Sequence, residues 1–142
     1  MAKYFLAKTD PDTYSISDFQ KEKETFWDGV RNYTAIIAIK SWQIGDYVFI
    51  YHSQGENAIV GLSKVMTKPV PDPNDAKQIS WYAKLKLIEV YPKDKWVTLK
   101  EIKGSGLFQD FQLVKNSRLS TMPCPENFVN WLAAKGLNVG DE

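Results

Sequence analysis

An α+β domain built on a curved sheet and flanked by short helices is the fold class this sequence predicts, on three observations. Apolar runs of strand length, unequal in extent, recur between turn residues. The helical segments between them are short and carry their own start and stop signals. Finally, 142 residues with 44% hydrophobic content supply one ordinary core. Residues 1–137 read as a single domain without repeat, low-complexity tract or linker. Residues 138–142 read as a frayed tail.

The elements follow in order. Lys3 to Ala7 is a short apolar strand, ended by Asp10, Pro11 and Asp12. Ser15, with Asp18 three residues on, has capping-box spacing for a short helix whose apolar side is Ile16 and Phe19. The chain turns at Trp27-Asp28-Gly29, with Asp28 the expected N-cap of a buried helix that starts near Val30 or Arg31 and runs to Ile39. Its three isoleucines would also tolerate a strand. Tyr47 to Tyr51 is a strand buried on both faces, and Gln54 to Asn57 is a hairpin loop. Ala58 to Met66 is the next strand, where Gly61 marks a bulge or a close backbone approach. Pro69 to Asp75 is a proline-rich loop. Trp81 to Val90 alternates as a half-exposed strand with a register break near Ile88. Thr98 caps a short helix that Gly104-Ser105-Gly106 stops; Leu107 to Val114 is partly helical; Leu119 to Met122 is a late strand. Pro125 opens a terminal helix that ends at Gly136.

Composition narrows the function. No apolar run reaches the ~20 residues that span a bilayer, and the N-terminal apolar stretch is too short for a secretory signal. The expected location is the cytoplasm, or the nucleus in a eukaryote. One cysteine, Cys124, excludes an internal disulfide, and one histidine with one cysteine cannot supply a closed zinc shell. No metal and no cofactor is expected. A net charge of +1 is too small for a protein that grips nucleic acid through phosphates alone. Any affinity for nucleic acid must come from a base in a pocket plus a few local cations.

Three short stretches carry chemistry that packing does not require. Trp27 offers a stacking face, unless it is a core aromatic, and Asn32 offers the paired donor and acceptor that suit a base edge, unless it caps the helix. His52 and Ser53 place two polar tips at a strand end. Arg118 and Ser120 share a face if their segment is extended, so Arg118 would meet a phosphate or pin one of Asp10, Asp12 and Asp28 while Ser120 holds a base atom. Only two arginines occur, Arg31 and Arg118, and both lie in these stretches.

On Lys8-Thr9-Asp10-Pro11-Asp12-Thr13-Tyr14, Trp27-Asp28-Gly29-Val30-Arg31-Asn32-Tyr33, Tyr51-His52-Ser53 and Arg118-Leu119-Ser120, the chain resembles the EVE domain family of the PUA-like superfamily, from about Lys3 to Leu137. The family more often has Ser-Glu-Pro after the lysine, where this chain has Thr9-Asp10-Pro11. The resemblance implies a PUA-like curved mixed sheet closing into a pseudo-barrel. It also implies a non-enzymatic, monomeric module that reads a flipped-out, modified base of RNA or DNA. Trp27, Asn32, His52, Ser53, Arg118 and Ser120 would form the base pocket, converging on one concave site, with Lys8, Tyr14 and Arg31 as secondary or phosphate contacts. Two alternatives stay open: a small nucleotide-processing enzyme using His52 as general base, and a module that binds a peptide in the same groove.

Overall fold

Two neighbouring strands of the sheet run parallel, β1 (Tyr4–Thr9) and β3 (Tyr47–His52), paired from Tyr4 with Tyr47 to Thr9 with His52. The structure is a computed structural model and describes residues 2–28, 30 and 32–140. Every residue of β3 is buried, as an uninterrupted apolar run between covered faces requires. β4 (Ala58–Val65) runs antiparallel to β3, and β6 (Trp81–Val90) antiparallel to β4. β2 (Glu24–Trp27) pairs with β6, and β8 (Thr121–Pro123) pairs with β1. The order is therefore β2-β6-β4-β3-β1-β8, with two short strands off this path: β5 (Val70–Pro71) on β6 and β7 (Val97–Thr98) on β4.

Between β1 and β2 lies α1 (Ile16–Glu22), opened by the Ser15–Asp18 capping box that the spacing predicts. Gly61 is what lets α1 sit so close to the sheet: a Cβ there would come within 2.7 Å of the Ile16 side chain and 3.0 Å of the Glu89 carbonyl oxygen. α2 (Tyr33–Lys40) packs against both β8 and β6, bridging the two sides of the sheet and curling it into a pseudo-barrel. α3 (Leu99–Gly104), α4 (Gln112–Lys115) and α5 (Glu126–Ala134) complete the domain. Phe108, Phe111 and Trp131 ring Phe128 at centroid distances of 4.7 to 6.0 Å. The register break expected near Ile88 is present, since Leu62 pairs with Glu89 and Ser63 with Leu87.

Four expectations are corrected. β2 is a strand that the turn reading of this region lacks; Phe26 points outward, so the polar-out alternation that marks a half-buried strand is broken there. α2 begins at Tyr33 and not near Val30 or Arg31, because the Asn32 side-chain oxygen accepts from the Ala35 N–H at 3.1 Å and is the N-cap expected of Asp28. The proline-rich loop contains β5 and is knitted together by Asp75, whose carboxylate accepts from the N–H groups of Lys77, Ile79 and Ser80. Residues 138–140, expected to fray, are docked. The Tyr91 hydroxyl donates to the Asn138 carbonyl at 2.5 Å and the Tyr4 hydroxyl to the Val139 carbonyl at 2.6 Å. Gly140, at φ +88°, lies so tightly on Tyr47 that a Cβ would overlap its ring.

Candidate functional site

β1 stops at Thr9 because the next residues form a tight turn: Thr13 and Tyr14 both donate their N–H groups to the Asp10 carbonyl, and the Asp10 carboxylate accepts from the Asp12 N–H. The turn carries Tyr14 back beside the strand end, where the Thr9 hydroxyl donates to the Tyr14 carbonyl at 2.7 Å. β2 ends at Trp27, whose ring meets Tyr14 edge-on at 6.2 Å and Phe19 of α1 at 6.2 Å. Between these strand ends opens a cavity of about 540 Å³, lined by Lys8, Thr9, Tyr14, Phe26, Trp27 and Ser120, with Asp10, Asp28, Thr13, Thr25 and Val30 around them. Its volume falls in the ~300–1,000 Å³ range of small-ligand sites.

The cavity's polar groups have distinct characters. Lys8 is half-buried; desolvation lowers its ammonium below the ordinary 10.5, and it donates to the Ser117 carbonyl at 3.0 Å. The same nitrogen lies 5.7 Å from the ring centroid of Tyr51, which is itself core and whose phenol burial pushes up to about 12. The Lys8 N–H donates to the Ser120 carbonyl, which fixes Ser120 against β1. Tyr14 is held by a hydrogen bond from its hydroxyl to Glu22; burial, then Glu22, raises its phenol. A desolvated cation, hydroxyls, carboxylates and aromatic walls thus face one space.

The structure brings together four of the residues singled out in the sequence: Lys8, Tyr14, Trp27 and Ser120. The others take different positions. Asn32 caps α2 and does not line the cavity. His52 sits beside Thr9 in register, but its Nε2 accepts from the Ile16 N–H at 3.0 Å, so it caps the start of α1. Its ring is buried edge-on against Trp96, and desolvation lowers its pKa from 6.5. The Ser53 N–H donates to the Thr9 carbonyl. Arg118 is exposed and, among the described residues, forms no ion pair with Asp10, Asp12 or Asp28. Arg31 lies outside the described residues. The expected convergence of six side chains therefore holds for Trp27 and Ser120 alone.

Of the two readings open to Trp27, stacking face and core aromatic, the second describes most of its ring. At 7% exposure it belongs to the core cluster and presents only part of its ring as the cavity wall. The exposed aromatic is its neighbour Phe26, 43% exposed, which sequence reasoning missed along with Thr25; an outward aromatic in a four-residue strand was the available signal. Among the described residues, no group of three or more His, Cys, Asp or Glu is placed to hold a metal ion, and no helix is long and apolar enough to cross a membrane.

A second cavity of about 520 Å³ lies between the segment joining α3 to α4 and the turn from β8 to α5. Leu107, Phe108, Phe111, Pro123 and Cys124 line it, with Asp110 its one charged group. The Cys124 thiol is pushed up by burial.

Comparison with known proteins adds the lineage. The EVE domain family model matches residues 3–135. Thymocyte nuclear protein 1 of Rattus norvegicus is 34% identical over 84 residues, 51% of this chain and 37% of the relative, so the match spans little more than a third of that protein's length. A protein from Pseudomonas syringae of known crystal structure is 32% identical, with 93% of this chain and 99% of that chain covered and a TM-score of 0.82. The human THYN1 protein, crystallised in complex with DNA containing 5-methylcytosine, shares the fold at a TM-score of 0.82 and 23% identity, over 96% of this chain and 99% of that chain.

Proposed function

The chain belongs to the EVE domain family, and we propose that it is a non-enzymatic module that takes a flipped-out, modified base of a nucleic-acid strand into the cavity between the ends of β1 and β2. The observation that carries this reading is the company Lys8 keeps. A half-buried cation shares an aromatic-walled space with the Ser120 hydroxyl and the Asp10 and Asp28 carboxylates. A base offers these groups further partners: ring carbonyls accept from Lys8 and Ser120, and an exocyclic amino group donates to a carboxylate, as cytosine's does to Asp or Glu. Trp27 and Tyr14 wall the space, and Phe26 at its edge offers a stacking surface. Extrusion of the base costs a few kcal/mol, least in single strands, and base–aromatic contact returns ~1–3 kcal/mol. A buried methyl adds only ~1 kcal/mol, so recognition of the modification rests on the shape of the walls as well.

The THYN1 complex supports a modified cytosine as the first base to test. His52 disfavours the hydrolytic alternative, because its Nε2 is engaged with α1 and it does not face the cavity. The test is a binding series with short single-stranded DNA and RNA oligonucleotides carrying 5-methylcytosine, a methylated adenine or no modification. The expected result is selective binding of one modified base without turnover. With a net charge of +1, the salt dependence should correspond to roughly two to four phosphates. Equal binding of all oligonucleotides, or none, overturns the reading.

A further inference from the structure

The outward face of β2 and β6 carries a stacked aromatic pair beside two cations. Phe26 stacks on Tyr82 with ring centroids 4.6 Å apart and planes 24° from parallel. The Lys84 ammonium lies 5.3 Å from the Phe26 centroid and 3.7 Å from the Glu24 carboxylate. Phe26 and Lys84 are partners in the β2–β6 register, as are Glu24 and Lys86. Alternate residues of a strand share a face, so Tyr82, Lys84 and Lys86 succeed one another on the side that Phe26 occupies. An exposed ring stacked on a half-buried one beside two cations is what a protein presents to the bases and backbone of a single strand. This pair is also continuous with the cavity, because Phe26 lines the cavity and stacks on Tyr82.

We propose that this face carries the nucleotides flanking the inserted base: a neighbouring base stacks on the Phe26–Tyr82 pair while Lys84 and Lys86 meet the adjoining phosphates. The occupant is a single nucleic-acid strand leaving the cavity, and the inference rests on the cavity's being the base site. Lys84 exchanges an exposed carboxylate partner for a phosphate; exposed ion pairs of this kind contribute little, so Glu24 does not hold it back.

The experiment compares Tyr82→Ala, Lys84→Gln and the cavity variant Lys8→Gln with the unaltered protein, each checked for folding by its thermal melt. The probes are a short single-stranded DNA with a central 5-methylcytosine, its unmodified and RNA counterparts, and 5-methyldeoxycytidine alone. Lys84→Gln is expected to reduce the log–log salt slope for the oligonucleotide by about one. Tyr82→Ala should weaken oligonucleotide binding about 5- to 150-fold. Both should leave binding of the free nucleoside unchanged, whereas Lys8→Gln weakens nucleoside and oligonucleotide alike. If only Lys8→Gln has an effect, the strand runs elsewhere and the cavity reading survives alone. If Tyr82→Ala and Lys84→Gln weaken modified and unmodified strands equally while Lys8→Gln does nothing, the strand surface stands and the base site is lost. Weakened nucleoside binding in Tyr82→Ala or Lys84→Gln would overturn the proposal by showing that they act through the cavity. Failure of the unaltered protein to bind any oligonucleotide removes both.

Discussion

Two of the domain's cavities, of about 540 Å³ and about 520 Å³, are nearly equal in volume and differ in their linings. The first joins Lys8 and the Ser120 hydroxyl to the rings of Tyr14, Phe26 and Trp27, so it offers cation, donors, acceptors and aromatic faces together. The second has aromatic and aliphatic walls but no cation, and its one charged group is Asp110. An anionic strand meets one cation, Lys8, beside the carboxylates of Asp10 and Asp28 at the first, and a carboxylate with no cation at the second. Their construction differs as well. The first lies where two strands end and a backbone turn organised by Asp10 folds over them; the second lies between connecting segments packed on α5. Size says little about function in this molecule, and the set of donors says more.

The sharpest way to break the comparison is Trp27→Ala. Because Trp27 belongs to both the core and the first cavity, the change should cost ~3–5 kcal/mol of stability, seen as a much lower melting temperature, as well as base binding. Trp27→Phe should keep the fold and weaken binding only, which separates the two roles. Next in size, Lys8→Gln should weaken binding of the favoured base about 10- to 100-fold by titration, the range for a hydrogen bond from a charged group. Stability should change little.

A smaller effect comes from pH. His52 has its pKa lowered by burial and uses neutral Nε2 to accept from the Ile16 N–H. Its contribution to stability is therefore complete above the ordinary value of 6.5 and declines as the pH falls from there to the lowered native value, with no further loss below it. Denaturant midpoints between pH 8 and 5 should show that loss, and His52→Gln should flatten it. Hydrogen exchange should place the loosening in α1, on the side of the first cavity, with α5 and the second cavity unaffected. Smallest of all, Leu107→Ser on the second cavity, at a residue 60% exposed, should shift stability by less than ~0.5 kcal/mol and leave oligonucleotide binding unchanged. A large loss of nucleic-acid binding there would reverse the assignment of the two cavities.

How much of this was legible depends on whether the signal is local. The capping box at Ser15, the buried run of β3, the break near Ile88 and Pro125 at the start of α5 are written in neighbouring residues, and each is present. Trp27 and Ser120 were legible as residue types that can serve a base, and Lys8 and Tyr14 through the motif shared with the family. The rest turned on competition between partners. Asn32 and His52 bear groups that suit a base edge, yet each helix start has backbone N–H groups to satisfy, and these two side chains satisfy them. No local pattern says which demand wins. β2 was hidden for a related reason: its outward aromatic makes sense only once a partner strand has placed Tyr82 beneath it.

The docking of residues 138–140 has a consequence for how the chain can be rewired. Because the Tyr4 hydroxyl holds the Val139 carbonyl, the two ends of the described chain lie side by side on the surface of the barrel. A circular permutant that joins residue 140 to residue 2 through a short flexible linker, and opens at the exposed Gln54–Glu56 hairpin tip, would keep both tyrosine hydroxyl bonds while moving the new ends away from Tyr4. The opening lies between β3 and β4, whose pairing would then have to form across a break in the chain. Such a permutant would report directly on whether that hairpin or the closure of the two ends governs the order in which the barrel assembles.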